Sequence, residues 1–455
     1  MSNDTQLSIS RPMPQMAGLP WLGNLLPMGA DPLDFLMRTA RRFPDLVYVR
    51  ILGSGYIQVN DPHLIEEVLV TRSGSFIKDK DLKVYARAVF GNGLLSSDGE
   101  FWLRQRRLAQ PAFHRERIAG YADLIREHTA QAMASWRVGE VRDVHVDMME
   151  TTLKIVAHAL FGAQKDESIV EIGECLDTIM ARFDFRGLTV LLEQALGRVI
   201  DRAKHERYEA AVRRLDAIVD GVIDRSRKDV HQADHLLAML IAARDEDGSA
   251  MSDAQLRDES KTMFIAGHET TALSLSWTFW LLALNRDAHL RLREELRRVL
   301  DGRAPEMADL PKLTYTDQVI RESMRLMPPA WSIQREALMD VDIGGYQIPK
   351  GTNVLLSQYA VHRDPRFFRD PESFRPERWT PEFTRQLPKY AYFPFGGGPR
   401  LCIGQQFAQM EAVLMLAMIV QRFDMELVAG QRIVPQPSIT MRPKYGLRMR
   451  LRAAE

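Results

Sequence analysis

The stretch FPFGGGPRLCIGQQFAQ, residues 393–409, constrains the fold of this chain more than any other part of the sequence. Its three consecutive glycines permit backbone angles and close approaches that side chains forbid. The residues that follow Cys402 have the apolar spacing of a helix that becomes buried along its length. We therefore expect Cys402 on a tight turn at a helix N-terminus, where the positive end of the helix dipole favours a thiolate. A lone cysteine is more often a small apolar core residue than a ligand, so both interpretations stay open here.

Composition argues against several classes of protein. Two cysteines, Cys175 and Cys402, lie too far apart among 455 residues to indicate a disulfide framework or a zinc-type pair, which favours a reducing compartment. Sixty basic and sixty acidic residues give zero net charge, so no global basic field attracts nucleic acid or an anionic membrane. Residues 1–26 contain neither a secretion signal nor the roughly 20 apolar residues that span a bilayer. We expect a soluble, cytoplasmic protein without a membrane anchor.

The chain has no repeats, low-complexity tracts or Gly/Ser linkers, so we expect one domain over residues 1–455. The stretch VYVRILGSGYIQV is typical of a β-hairpin, and Asp61 and Pro62 are typical of a helix start. Residues 100–330 mostly have helical spacing, whereas VDIGGYQIPKGTNVLLSQYAV has strands bounded by Gly and Pro. The sequence predicts a mainly α fold with a minor antiparallel β portion.

The stretch SDAQLRDESKTMFIAGHETTALSLSWTFWLLAL predicts one long helix. Ser252 and Gln255 have the spacing of a capping box at its start. In its middle lie Gly267, which costs ~1 kcal/mol relative to Ala in a helix, and Thr270. The Thr270 hydroxyl either bonds a carbonyl one turn earlier for packing reasons or serves a ligand, and the residues alone favour neither interpretation.

Further polar residues stand at helical spacing in other parts of the chain. In RESMRLMPP, Glu322 and Arg325 are three residues apart, and Arg378 follows downstream in FRPERW. Taken alone, Glu322 and Arg325 are best explained as a surface pair worth ~0.3–0.5 kcal/mol. In FWLRQRRLAQPAF, Trp102 and Arg106 lie one turn apart on one helix face.

These stretches together resemble the cytochrome P450 family over essentially the whole chain. Phe395, Gly398, Arg400, Cys402 and Gly404 fit the haem-ligating pattern F-x-x-G-x-R-x-C-x-G at every position. The resemblance implies the cytochrome P450 fold, with haem b (iron protoporphyrin IX) between the long central helix and the Cys-bearing helix. Cys402 would be the axial ligand of the iron, and its electron push would favour O–O cleavage. Arg400 would bind a haem propionate.

The other motifs follow in the family's order. AGHETT resembles A/G-G-x-D/E-T, which implies that Thr270 hydrogen-bonds dioxygen and that Glu269 supports proton delivery. Glu322 and Arg325 match E-x-x-R, and Arg378 lies in a P-E-R-F element that has Trp instead of Phe. By resemblance these three form a buried ion network with a structural role behind the haem. The residues placed against the haem by the resemblance are Cys402, Arg400, Trp102, Arg106, Arg335, Phe395, Gly396, Gly404 and Ala266, with Arg335, Arg106 and Trp102 as further propionate contacts.

The resemblance implies a monooxygenase that inserts one atom of dioxygen into a lipophilic natural product, terpenoid or fatty acid. Its electrons would come from NAD(P)H through a separate ferredoxin or flavodoxin with a reductase, since only about fifty residues follow Cys402. A haem-thiolate peroxygenase or isomerase would not need the Glu269–Thr270 pair. A non-catalytic helical binding protein would leave FGGGPRLCIG unexplained. The expected substrate contacts are mostly apolar and offer no counter-charge to an anion: Val84, Tyr85, Phe90, Phe264, Ile265, Ala330, Trp331, Ile333 and Ile439.

Overall fold

The computed structural model describes residues 11–79, 87, 89–162, 166–181, 201–228 and 235–454. Helices predominate in this part of the chain and strands are short, which confirms the predicted fold class. The helices are α1 (Leu25–Ala30), α2 (Pro32–Arg42), α3 (Pro62–Glu66), α4 (Gly99–Ala109), α5 (Arg115–Gly120), α6 (Ala122–Ala134), α7 (Val144–Phe161), α8 (Asp166–Met180), α9 (Arg202–Lys228), α10 (Leu236–Ala242), α11 (Asp253–Leu284), α12 (Arg286–Leu300), α13 (Thr314–Leu326), α14 (Gln358–Val361), α15 (Pro381–Gln386) and α16 (Gln405–Arg422). The strands are β1 (Leu46–Ile51), β2 (Ser54–Val59), β3 (Phe76–Lys78), β4 (Val141–Asp143), β5 (Ile333–Ala337), β6 (Val341–Ile343), β7 (Tyr346–Ile348), β8 (Asn353–Leu356), β9 (Phe423–Leu427), β10 (Pro435–Pro437), β11 (Met441–Pro443) and β12 (Arg448–Ala453).

The chain forms two compact units, and each is assembled from several separate segments. The first unit contains the N-terminal segment, residues 330–373 and residues 382–402. The second contains the long helical segment that ends at residue 329, residues 374–381 and the segment that begins at residue 403. The expectation of a single domain over residues 1–455 therefore stays a prediction.

The first unit is built around a five-stranded sheet with the order β1-β2-β8-β5-β3. The expected hairpin is confirmed: β1 and β2 pair antiparallel, and Leu52 and Gly53 both have positive φ at its two-residue turn. Strand β2 also pairs in parallel with β8, where Tyr56 lies opposite Asn353. The sheet is consequently mixed, because a strand from the C-terminal half lies beside the N-terminal hairpin. Phe393, in the segment that leads to Cys402, belongs to the core that packs on this sheet.

The second unit is organised around α11, which is 32 residues long. Its predicted capping box is present, since Ser252 and Gln255 each bond the other's backbone N–H. Most of its side chains are buried, and it packs against α7, α9, α13 and α16. Because neighbouring helices cover most of its surface, α11 has no continuous polar stripe along one side.

The helix that carries Glu322 is fixed at its N-terminus by a side chain from the preceding helix. Glu295, on α12, accepts hydrogen bonds from the backbone N–H groups of Tyr315 (2.7 Å) and Thr316 (2.8 Å) at the start of α13. These N–H groups have no partner within the helix, and a negative charge is favourable at this end of the helix dipole. The cap therefore fixes the start of α13 against α12.

The C-terminal strands complete the second unit. Strand β12 lies between β4 and β9, and β10 pairs antiparallel with β11. Within the described part of the chain, no helix combines the length and the hydropathy that a membrane span requires.

Candidate active site

Cys402 ends a loop of the first unit in which backbone segments approach very closely. Its N–H donates to the carbonyl of Phe395 (3.1 Å), and the residue is exposed. Gly398 has a φ of 64°, and a β-carbon there would lie 1.8 Å from the carbonyl oxygen of Leu69. Because the obstructing atom belongs to the backbone, this position requires glycine. The loop thus presents an accessible cysteine from a conformation that depends on its glycines.

A buried histidine holds the start of this loop. Nε2 of His362 accepts a hydrogen bond from the backbone N–H of Phe393 (2.9 Å), so this nitrogen carries no proton. The rings of His362 and Phe393 also meet edge to face. Sequence reasoning missed His362, which lies 31 positions from its partner and belongs to no motif. It fixes the segment from which the glycine turn departs.

The middle of α11 has an open face. Ala266 is exposed and Thr270, one turn later, is half-buried, whereas Ile265, His268 and other neighbours are buried. The Thr270 hydroxyl donates to the carbonyl of Ala266 (2.8 Å), which is the back-bond that the packing interpretation predicts. The hydroxyl oxygen still has lone pairs that can accept a hydrogen bond. A ligand lying against this face would meet Ala266 and Thr270.

The Glu269 carboxylate lies among protein groups of the second unit. Its Oε1 accepts hydrogen bonds from Arg442 Nε (2.6 Å) and from the Thr440 hydroxyl. Burial alone would raise its pKa, but Arg442 and Thr440 together hold the pKa below its ordinary value. Sequence reasoning missed both partners, although alternate residues of a strand share one face. The carboxylate is ionised at neutral pH and is engaged by the C-terminal hairpin.

Glu322 is the centre of a second buried group of ions. Its carboxylate accepts two hydrogen bonds from Arg325 (2.9 and 2.8 Å) and one from Arg378 Nε (2.9 Å). The backbone N–H of Arg375 and the indole N–H of Trp379 complete its shell (2.9 and 3.0 Å). Burial lowers the pKa of Arg378 despite the nearby carboxylate. The group joins α13 to residues 374–381.

Comparison with known families identifies the chain. The family model described as Cytochrome P450 matches residues 12–448. The chain belongs to the cytochrome P450 family. With named monooxygenases among its relatives, it is a cytochrome P450 monooxygenase, and the family implies a haem-thiolate cofactor.

Individual relatives cover nearly the whole chain. Cyclooctatin synthase of Streptomyces melanosporofaciens is 37% identical over 93% of this chain and 92% of its own length. Pentalenene oxygenase of Streptomyces avermitilis is 34% identical over 96% of each chain. Among solved structures, the haem domain of cytochrome P450DA is similar, with a TM-score of 0.86, 28% identity and coverage of 98% of this chain and 99% of that one.

Trp379 is the point at which the chain departs from the P450 pattern P-E-R-F. The sequence alone suggests a conservative aromatic change, but the indole donates a hydrogen bond to Glu322 that a phenyl ring cannot supply. The substitution therefore adds a donor to a fully buried carboxylate, which is stabilising where the partner has no access to water.

The residues expected to bind haem propionates lie in both units. Arg335 is in β5 opposite Val354, and Arg400 ends the short helical turn that begins at Gly398. Trp102 is buried on α4, which also carries Arg106. Their role as propionate contacts stays a prediction, as does the cofactor role of Gly396 and Gly404.

Two further arginines on α4 contact acidic residues. Arg104 pairs with Asp245 (2.8 Å), and Arg107 approaches Glu246 (3.4 Å). Both contacts reach the loop that precedes α11, and the Arg104–Asp245 pair is partly buried whereas the Arg107–Glu246 pair is exposed to solvent.

The expected substrate contacts differ in how much surface they present. Ala330, Ile333 and Ile439 are half-buried and keep accessible surface. Phe264 is 2% exposed and stacks on Phe161 on the side of α11 away from Ala266, and its role as a substrate contact stays a prediction. The remaining expected contacts that the structure describes are almost fully buried, namely Phe90, Ile265 and Trp331. Val84 and Tyr85 lie outside the described residues.

A second carboxyl group near Thr270 has the opposite electrostatic character to Glu269. Glu411, on α16, is fully buried, and burial raises its pKa to about 8, although the Thr271 hydroxyl opposes the shift. It therefore holds a proton at neutral pH. The sequence signal was an acid inside the apolar run of α16, which motif reasoning passed over.

The shell around Glu322 leads to a graded prediction. Trp379→Phe should cost ~1–3 kcal/mol of unfolding free energy, because it leaves a buried carboxylate one donor short. Glu322→Ala should cost ~3–5 kcal/mol, because Arg325 then has a buried and uncompensated charge. Denaturant unfolding of the purified haem-loaded variants measures both.

The exposed Arg375–Glu377 pair supplies the control, since Glu377→Ala should change stability by at most ~1 kcal/mol. A Glu322→Ala protein as stable as the wild type would contradict the structural role of the network.

Proposed function

We propose that the protein hydroxylates a lipophilic terpenoid, inserting one atom of dioxygen and reducing the other to water with electrons from NAD(P)H. The observation that carries this proposal is the exposed Cys402 on its glycine-dependent loop, in a chain that matches the cytochrome P450 family over residues 12–448. Dioxygen activation is favoured over peroxygenase or isomerase chemistry because a hydroxyl, Thr270, stands on the open face of α11 beside an acid, Glu269.

The residues present fit haem b. In the first unit, the accessible Cys402 is of the type that ligates haem iron, and the guanidinium groups of Arg335 and Arg400 are of the type that binds propionates. In the second unit, Ala266 gives α11 an exposed apolar position of the type that packs against a porphyrin. We infer that Trp102, Arg106, Phe395, Gly396 and Gly404 complete its surroundings. When bound, a thiolate-ligated haem supplies the activation of dioxygen.

The substrate class is inferred from the relatives and from the accessible side chains. Cyclooctatin synthase, cyclooctat-9-en-7-ol 5-monooxygenase and pentalenene oxygenase act, by their names, on terpenoids. Ala330, Ile333 and Ile439 present apolar surface and supply no counter-charge for an acid. A polycyclic terpene fits these properties better than a fatty acid, whose carboxylate needs a cation or a polar anchor.

Electron supply is part of the same proposal. We infer a separate ferredoxin or flavodoxin with an NAD(P)H reductase, acting in the cytoplasm on one haem domain. Zero net charge and two distant cysteines support that location.

The first test concerns the iron ligand. Reduced wild-type protein exposed to carbon monoxide should show the strongly red-shifted Soret band of thiolate ligation, and Cys402→Ser should abolish it. Cys175→Ser is the matched control, because that thiol is buried in α8 and burial raises its pKa, which keeps it protonated. A wild-type spectrum of histidine ligation would overturn the assignment.

The second test concerns the Thr270 hydroxyl. Thr270→Ala should keep the fold and the carbon monoxide spectrum but release hydrogen peroxide in place of much of the product, because the hydroxyl no longer directs protons to dioxygen. Product formed per NAD(P)H consumed, measured with a surrogate ferredoxin system, reports this loss of coupling.

Thr278→Ala is the control for the second test. Thr278 makes the same back-bond on the same helix, to Ser274 at 2.7 Å, but is fully buried. Equal coupling in wild type and Thr270→Ala would show that Thr270 serves packing alone.

The third test concerns the substrate class. Titration of the ferric protein with polycyclic sesquiterpene and diterpene hydrocarbons should shift the Soret band as water leaves the iron, with micromolar dissociation constants. Long-chain fatty acids should bind at least about tenfold more weakly, since burying an unpaired carboxylate costs ~1–3 kcal/mol or more. Tighter binding of fatty acids would reverse the proposed preference.

A further inference from the structure

Ile439 lies on the turn that joins β10 to β11. Gln436 pairs with Arg442 across the two strands, and both the N–H and the hydroxyl of Ser438 donate to the carbonyl of Thr440 (3.0 Å each). Ile439 keeps accessible surface, whereas Thr440 beside it is buried. The tip is a defined turn that presents one apolar side chain.

Polar bonds attach this turn to α11. The Thr440 hydroxyl and Arg442 Nε both donate to Oε1 of Glu269. Two turns further along the same helix, the indole N–H of Trp277 donates to the carbonyl of Met441 (2.8 Å). The turn and the strand after it are therefore bonded to α11 at two places, Glu269 and Trp277.

A third attachment involves the backbone. The N–H of Met441 donates to the carbonyl of Pro329 (3.0 Å), which follows α13. Pro329 directly precedes Ala330, another residue expected to contact the substrate. Met441 thus connects the hairpin to the end of α13 as well as to α11.

The electrostatic surroundings leave Arg442 as the cation that balances Glu269. His268, on the same helix, has its pKa lowered by burial. His145, on α7, has a pKa lowered to about 4 by burial and by Arg442, so it is neutral at pH 7. The charge of Asp177, on α8, also raises the pKa of Arg442. Loss of Arg442 would leave the buried carboxylate without a compensating charge.

We propose that Thr440 and Arg442 are positioning residues for substrate selection, which use the Glu269 carboxylate as an anchor to fix the turn that presents Ile439. The proposal deepens the function above and rests on it. It gives Glu269 a role that does not depend on its moving protons, and it makes the shape of the substrate site depend on polar residues that no substrate touches.

The experiment uses a matched pair of variants on the haem-loaded protein. Thr440→Val removes the hydroxyl and keeps the shape, whereas Thr440→Ser keeps the hydroxyl and serves as the rescue variant. Arg442→Gln is a second, harsher change, and the threonine pair keeps the test intact if that variant fails to fold.

The first readout is amide hydrogen exchange at Met441, which needs no substrate and no turnover. Thr440→Val should speed exchange about tenfold, because it removes one hydrogen bond to a charged group, and Thr440→Ser should exchange like the wild type. Unchanged exchange in Thr440→Val would show that Glu269 does not anchor the turn.

The second readout is selectivity for iron ligands of different size. The ratio of the dissociation constants of imidazole and 1-phenylimidazole, from spectral titration, should change at least about threefold in Thr440→Val, because only the larger probe reaches the substrate side chains. An unchanged ratio, with or without a loss of stability, would overturn the proposal and leave a purely structural contact.

The pH dependence of hydrogen exchange at Met441 tests whether the charged form of Glu269 holds the turn. Because the pKa of Glu269 is held below its ordinary value, protection of Met441 should be complete above the ordinary glutamate pKa and fall as pH drops through the lowered one. Failure of the carbon monoxide test would remove the haem function but leave the exchange result intact, so the two failures are distinguishable.

Discussion

The burial of three carboxyl groups constrains the second unit, because each buried charge costs several kcal/mol unless partners compensate it. Glu322 keeps its charge through a shell of donors from Arg325, Arg378 and Trp379. Glu269 keeps its charge through one hairpin, by way of Arg442 and Thr440, while Glu411 keeps its proton. The same physical cost thus produces a buried ion network at Glu322, a connection between α11 and the C-terminal hairpin at Glu269, and a neutral acid at Glu411.

Several hydroxyl groups of α11 lie inside the second unit and find their hydrogen-bond partners within the helix itself. Thr270, Ser276 and Thr278 all donate to carbonyls one turn earlier, so each hydroxyl is satisfied without water. What distinguishes Thr270 is exposure rather than bonding, since it lies with Ala266 on the open face. Its back-bond therefore does not decide between packing and chemistry: the bond uses the hydrogen, and the open face leaves the oxygen available to a ligand.

The sequence predicted the structural features that depend on residues close to one another in the chain. The hairpin at Gly53, the capping box at Ser252 and the spacing of Glu322 and Arg325 were all readable, because each depends on residues within a few positions of one another. Arg442 was not, since it lies 173 positions from Glu269 and only packing brings a C-terminal strand to that helix. The surroundings of Phe264 were not readable for a related reason: its ring stacks on Phe161, which another helix supplies. The parallel β2–β8 pairing also joins distant segments.

The Cys402 loop of the first unit and the buried ion groups of the second differ in what kind of change they tolerate. In the Cys402 loop, a side chain at position 398 would collide with the backbone of Leu69, which cannot move aside. Steric exclusion therefore keeps glycine at this position. The groups around Glu322 and Glu269 are limited by charge, and charge can be balanced by more than one donor, as Trp379 shows in place of Phe. A chain can therefore keep the same cysteine loop while the polar residues around its buried carboxylates change. Such changes can move the apolar side chains that those polar residues position. On this argument the preference of a P450 for its substrate depends on the anchors behind residues such as Ile439 as much as on their side chains.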